Sequence, residues 1–123
     1  ILDDDECRHD VFRRVLADAE RVHVYTAKQA IEALSSERFD LVCLDHDLDL
    51  LSESLLEPPG DGLEVARFIA DHMPVDKVPR QVLVHSWNPC GARAMVDTLK
   101  AASVPVVRRE FSVSMPWLKT GAT

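Results

Sequence analysis

Leu41-Val42-Cys43-Leu44 is an unbroken apolar run that stops in Asp45-His46-Asp47. A run this short, apolar at every position rather than at alternate ones, predicts a strand buried on both faces, as in parallel sheets covered by helices. Two acids and a histidine then stand at its carboxyl end. In open α/β sheets that end collects ligands, because rigid strands there carry loops that stay open to solvent. Asp45 is therefore the centre of the expected site.

The flanking sequence supplies partners for this strand. Ile1-Leu2 runs into Asp3-Asp4-Asp5, and Val11, Phe12, Val15, Leu16 and Ala19 follow at helical spacing, predicting a strand end, an acidic loop and a first helix. Arg21 to Tyr25 reads as a second short strand. Thr26 and Gln29 form a capping box before a helix with Ala27, Ala30, Ile31 and Leu34 facing inward. After the central strand, Asp49 to Pro59 reads as a long loop. Asp61-Gly62 opens a helix that Met73-Pro74 ends, Gln81 to His85 is another buried strand, and Asn88-Pro89 gives an N-cap and first-turn proline. Val104 to Val107 is the last strand. Repeated strand–helix alternation calls for an α/β fold, a doubly wound five-stranded parallel sheet of order 2-1-3-4-5 with right-handed crossovers. Residues 108–123 hold Pro116 and Gly121 without helical periodicity, so a domain spanning 1–107 is expected to end in a tail, its last helix reduced or absent.

Composition narrows the function. A chain of 123 residues, 46% hydrophobic and 28% charged, forms one ordinary globular domain, and it has no apolar run near the roughly 20 residues that span a bilayer. No signal-peptide pattern is present, so a cytoplasmic location is expected. The formal charge of -7 argues against a broad DNA-binding surface, which needs clustered Lys and Arg. Cys7, Cys43 and Cys90 contain no C-x-x-C pair and suggest neither a disulfide framework nor a zinc knuckle; Cys43 reads as a small buried apolar group.

The expected topology brings three strand ends together. They carry Asp3 and Asp4, then Asp45, His46 and Asp47, then His85, Ser86 and Asn88. Carboxylates crowded into one crevice repel one another, and a hard divalent cation, Mg2+ or Mn2+, relieves the repulsion through oxygen ligands. Structural roles compete for some of these groups. Asp5 suits a helix start, Asp47 a turn, and Asn88 an N-cap. Trp87 is placed to act as a lid or a surface on which a base stacks. Arg108 and Arg109 either reach a phosphate or stay solvated, and His9, His23 and His72 read as surface or helix-end residues.

Leu2-Asp3-Asp4, Leu44-Asp45-His46-Asp47-Leu48, Asp61-Gly62 and Val84-His85-Ser86-Trp87-Asn88-Pro89-Cys90-Gly91 together resemble the signature of cyclic-phosphate processing receiver-like domains, within the response-regulator receiver superfamily. The resemblance implies a receiver-like, flavodoxin-like fold and metal-assisted processing of a cyclic phosphate in a nucleotide or at an RNA end. It places Asp3, Asp4, Asp45, His46, Asp47, His85, Ser86 and Asn88 in the site. Two features depart from ordinary receivers: the longer loop from Asp49 to Pro59, and Arg108-Arg109 where a lysine is usual.

The expectation is thus a metal-dependent phosphoesterase. Asp3, Asp4, Asp45 and Asp47 supply metal ligands, Asp45, His85 and His46 are catalytic with His85 as general acid or base, and Ser86, Asn88 and Trp87 bind substrate. The alternative is a non-enzymatic receiver module, phosphorylated on Asp45 or binding a protein partner or second copy. A third reading has His46 and His85 join the carboxylates around a transition metal.

Overall fold

The computed structural model describes residues 1–48, 60–113, 115 and 118. The expected loop from Asp49 to Pro59 lies outside them, as does most of the tail beyond Val113. Three strands, β1 (Leu41–Leu44), β2 (Gln81–Val84) and β3 (Val106–Arg108), form a parallel sheet in the order β1-β2-β3. Leu44 is in register with Val84, and Val84 with Arg108. Among the described residues four α-helices accompany them: α1 (Glu6–Val15), α2 (Ala27–Ser36), α3 (Gly62–Asp71) and α4 (Pro89–Ala101).

The expected five-stranded sheet is not seen among the described residues. The first two segments contribute single parallel bridges instead, Leu2 to Leu44 on one side and Leu2 to Val24 on the other. Their neighbours are spent elsewhere. Asp3 is followed immediately by the cap of α1, since the Asp5 carboxylate accepts from the amides of Cys7 at 2.8 Å and Arg8 at 3.3 Å. The Tyr25 amide donates to the Gln29 side chain at 2.8 Å rather than extending a ladder. Helix capping thus truncates both strands.

Alternation along the strands divides the interior. Val42, Leu44, Val82 and Val84 face one cluster with residues of α2, α3 and α4. Cys43 and Leu83 face a second, containing Phe12 of α1, Met115 and Leu118. Met115 and Leu118 are buried on the face that a last helix of the doubly wound fold would cover. Burying a side chain such as Leu44 or Phe12, both 0% exposed, is worth about 1.5–3 kcal/mol. Burial also raises the Cys43 thiol to about 11, as expected of an inert core group.

Two helix starts are drawn tightly against the end of β1. A Cβ on Gly62 would overlap the Asp45 carbonyl oxygen, and one on Gly91 would overlap the His46 ring. The Gly62 amide donates to the His46 carbonyl at 2.8 Å. Asp61 and Asn88 cap these helices, accepting from Glu64 at 2.9 Å and Gly91 at 3.0 Å. The sequence pattern Asp61-Gly62 and Asn88-Pro89-x-Gly91 therefore encodes both a cap and a close approach.

Candidate functional site

The strand parity that divides the core continues past the strand ends. Asp45 and His85 lie two residues beyond Cys43 and Leu83 and turn to the α1 side, whereas His46 follows Leu44 toward α3 and α4. The site accordingly has two halves.

On the α1 side, Asp3, Asp4 and Asp45 present carboxylate oxygens within 4.8 Å of one another. Asp3 is 0% exposed. It accepts from Arg8 Nε at 2.8 Å and Arg8 Nη2 at 2.8 Å, from the Asp5 amide at 2.9 Å, and from His85 Nε2 at 2.9 Å. Burial alone would raise its pKa, but the hydrogen bonds from His85 and Arg8 hold it well below the usual carboxylate range. Asp45 has fewer donors. Desolvation first, then the Asp3 charge, push its carboxyl up to about 7 against the opposing pull of Arg8.

Arg8 is the member of this cluster that sequence reasoning missed. Its Nη2 donates to Asp3 at 2.8 Å, Asp4 at 3.2 Å and Asp45 at 3.3 Å, touching every member of the triad. A signal existed: an arginine four residues after Asp4 and five after Asp3 lies one helical turn from an acid run that needs a cation.

His85 is 1% exposed, edge-on to Phe12 with ring centroids 5.1 Å apart. With Nε2 engaged by Asp3, its buried Nδ1 has no partner among the described residues. Burial lowers its pKa more than Asp3 raises it, so the ring is held neutral. His9 departs from its expected surface position. It is 0% exposed, because its Nε2 lies 2.9 Å from the Asp3 carbonyl oxygen and its Nδ1 lies 2.6 Å from His23 Nδ1. It packs under the acid loop.

On the α3 and α4 side, His46 Nδ1 lies 2.7 Å from Asp47 Oδ1. Asn88 Nδ2 donates to the same Asp47 oxygen at 3.2 Å while its Oδ1 caps α4. Hydrogen bonding to His46 lowers the Asp47 pKa. A donating Nδ1–H leaves His46 Nε2 as the unprotonated ring nitrogen, 4.0 Å from Asp61 Oδ2. Asp47 is thus a histidine partner, outside the acidic triad, and neither His46 nor His85 belongs to that triad. Ser86 is buried, its Oγ accepting from the Asn88 amide at 3.0 Å, and Trp87 is 64% exposed. Arg108 donates to the Ser86 carbonyl at 3.4 Å and to Glu110 at 3.3 Å. Cys7 and Cys90 stand exposed in the first turns of α1 and α4.

The family model of the cyclic-phosphate processing receiver domain matches residues 1–101. The chain belongs to that family. No curated protein and no solved structure matches it. As a cyclic-phosphate processing receiver domain it carries both halves of the site inside the matched stretch, while β3 and Arg108 lie beyond it. The triad suits a hard divalent cation: its donors are carboxylate oxygens, and three carboxylates share a single guanidinium. No helix among the described residues of this receiver domain is long and apolar enough to cross a membrane.

Proposed function

We propose that the protein is a metal-dependent phosphoesterase that opens a cyclic phosphate in a nucleotide or at an RNA end. The observation that carries this reading is the pairing of an acidic triad with a separately oriented histidine, His46, at the same strand ends. A divalent cation held by Asp3, Asp4 and Asp45, Mg2+ or Mn2+, would neutralise charge on the phosphoryl oxygens.

His46 takes the proton-transfer role in this proposal. Asp47 fixes its Nδ1 proton, and Asn88 holds Asp47 in place, which leaves Nε2 as the ring nitrogen that accepts or returns a proton. Such groups contribute about 10^2 to 10^4 in rate. His85, buried behind Asp3, acts as a positioning residue that orients this carboxylate and keeps it ionised. Ser86 shapes the loop before α4, whose amino end favours an anion, and the exposed Trp87 indole offers a face to a base.

Phosphorus NMR with Mg2+ or Mn2+ and a mixture of 2',3'-cyclic and 3',5'-cyclic nucleotides tests the proposal, with Asp45→Asn as control. Loss of one cyclic signal, matched by a new monoester and absent in the control, supports it and identifies the bond. Persistence of every cyclic signal, with a stable acyl phosphate on Asp45 after treatment with a small phosphodonor, would assign the chain to signalling instead.

A further inference from the structure

Arg8 occupies the place where the negative charge converges. Its Nη2 touches an oxygen of Asp3, of Asp4 and of Asp45, its Nε makes the second arm of a fork on Asp3, and its Nη1 lies 3.5 Å from Asp5. The side chain is 28% exposed, so one edge of the guanidinium faces solvent while the other is locked to a carboxylate that is 0% exposed. A nitrogen within hydrogen-bonding distance of all three acids stands in for a cation.

We propose that Arg8 is the exchangeable cation of this site: the guanidinium offsets part of the triad's charge in the metal-free protein and has to turn out of it before a divalent cation enters. The inference rests on the reading of Asp3, Asp4 and Asp45 as a cation site. Arg8 is tethered one turn along α1, so it swings without leaving the crevice. Its loss from the triad would free a planar, bidentate donor at the mouth of the site, suited to the oxygens of a phosphate. The exchange also sets metal affinity, since a cation that binds only the Arg8-out state sees its affinity reduced by that state's population.

Two measurements test this on the whole chain. The Arg8 Nε–H resonance, followed by nitrogen-15 NMR, is expected to be sharp and slowly exchanging without metal, and to shift and exchange rapidly at saturating Mg2+. An unchanged Arg8 resonance while the Asp45 and His46 amides report a bound ion overturns the proposal. Mn2+ titration by calorimetry then compares the native chain with Arg8→Gln and Arg8→Lys. Arg8→Gln is expected to bind about 10-fold more tightly, and Arg8→Lys, which keeps the charge but loses the fork, about 3-fold more tightly. A lysine variant equal to native beside a tighter glutamine variant would trace the effect to charge at a distance and overturn the exchange. Equal affinity in all three overturns it while leaving the metal site intact. No binding in any of them removes the metal site and the exchange together. The native-chain NMR decides the matter even if a variant fails to fold.

Discussion

His85 Nε2 donates to Asp3 Oδ2 over 2.9 Å, and both side chains are sealed from solvent. The pair joins the first and third strand ends of the crevice and gives Asp3 a neutral donor in addition to Arg8. A buried donor that loses its acceptor, or an acceptor that loses its donor, costs about 1–3 kcal/mol. His85→Ala is therefore expected to lower stability by about that amount in urea denaturation. It should also weaken Mn2+ binding about 10-fold, as loss of a partner that orients a metal ligand does. Unchanged metal affinity would separate His85 from the site.

His46 and Asp47 should behave as a unit. His46→Ala is expected to reduce kcat about 10^2-fold or more with little change in melting temperature, because the ring lies at the crevice rather than in the core. Asp47→Asn should cost less, about 10-fold, and the double variant should fall no further than His46→Ala, as expected of residues acting together. Additive losses in steady-state kinetics would show that Asp47 acts independently of the histidine.

The raised Asp45 pKa implies an unusual pH dependence for the metal-free protein. Its carboxyl rises from an ordinary 3.8 to about 7 on folding, so the folded chain binds this proton more tightly than the unfolded chain. The resulting stabilisation is complete below about pH 4 and is lost as pH climbs through about 7. Asp3 has the opposite sign: its depressed pKa stabilises the fold above the usual carboxylate range, and that contribution is lost in acid. Asp45→Asn should accordingly flatten the decline between about pH 4 and 7 and stabilise the metal-free protein at pH 8, on the order of 1–2 kcal/mol. Thermal melts in chelator across this range check the sign; a variant less stable than native at pH 8 would refute the raised Asp45 carboxyl and the burial assigned as its main cause.

Gly91 is tied to the His46 ring by space alone. A methyl group there overlaps His46, so Gly91→Ala has to displace the ring or tilt α4. The expected cost is about 1–3 kcal/mol, with a larger fractional loss of turnover than of stability. Melting temperature and kcat measured side by side test this, and native turnover would show that the ring tolerates displacement.

Much of this arrangement was legible before any coordinates. The continuous apolar runs at Leu41–Leu44 and Val82–Val84 specified strands covered on both faces, and Asp5, Thr26, Asp61 and Asn88 announced helix starts through side chains that accept backbone amides. The gathering of Asp3, Asp4 and Asp45 followed from topology. What escaped depended on side-chain direction. Five full strands were expected, yet two were shortened to single bridges because nearby helix caps claimed their neighbours. His85 read as a group in the crevice, although its parity with Leu83 turns it beneath α1 and behind Asp3. His9 read as a surface or helix-end residue and Arg8 was not singled out, because their partners include a backbone carbonyl and a carboxylate from a separate part of the chain.

The exposed cysteines give the two walls of the crevice natural points of attachment. Cys7 and Cys90 each occupy the second position of a helix that frames the site, whereas the buried Cys43 thiol is kept protonated up to about pH 11. A thiol-directed spin label or fluorophore would therefore mark α1 and α4 and spare the central strand. The separation of these helices becomes a distance readable in the native sequence, with no engineered residue.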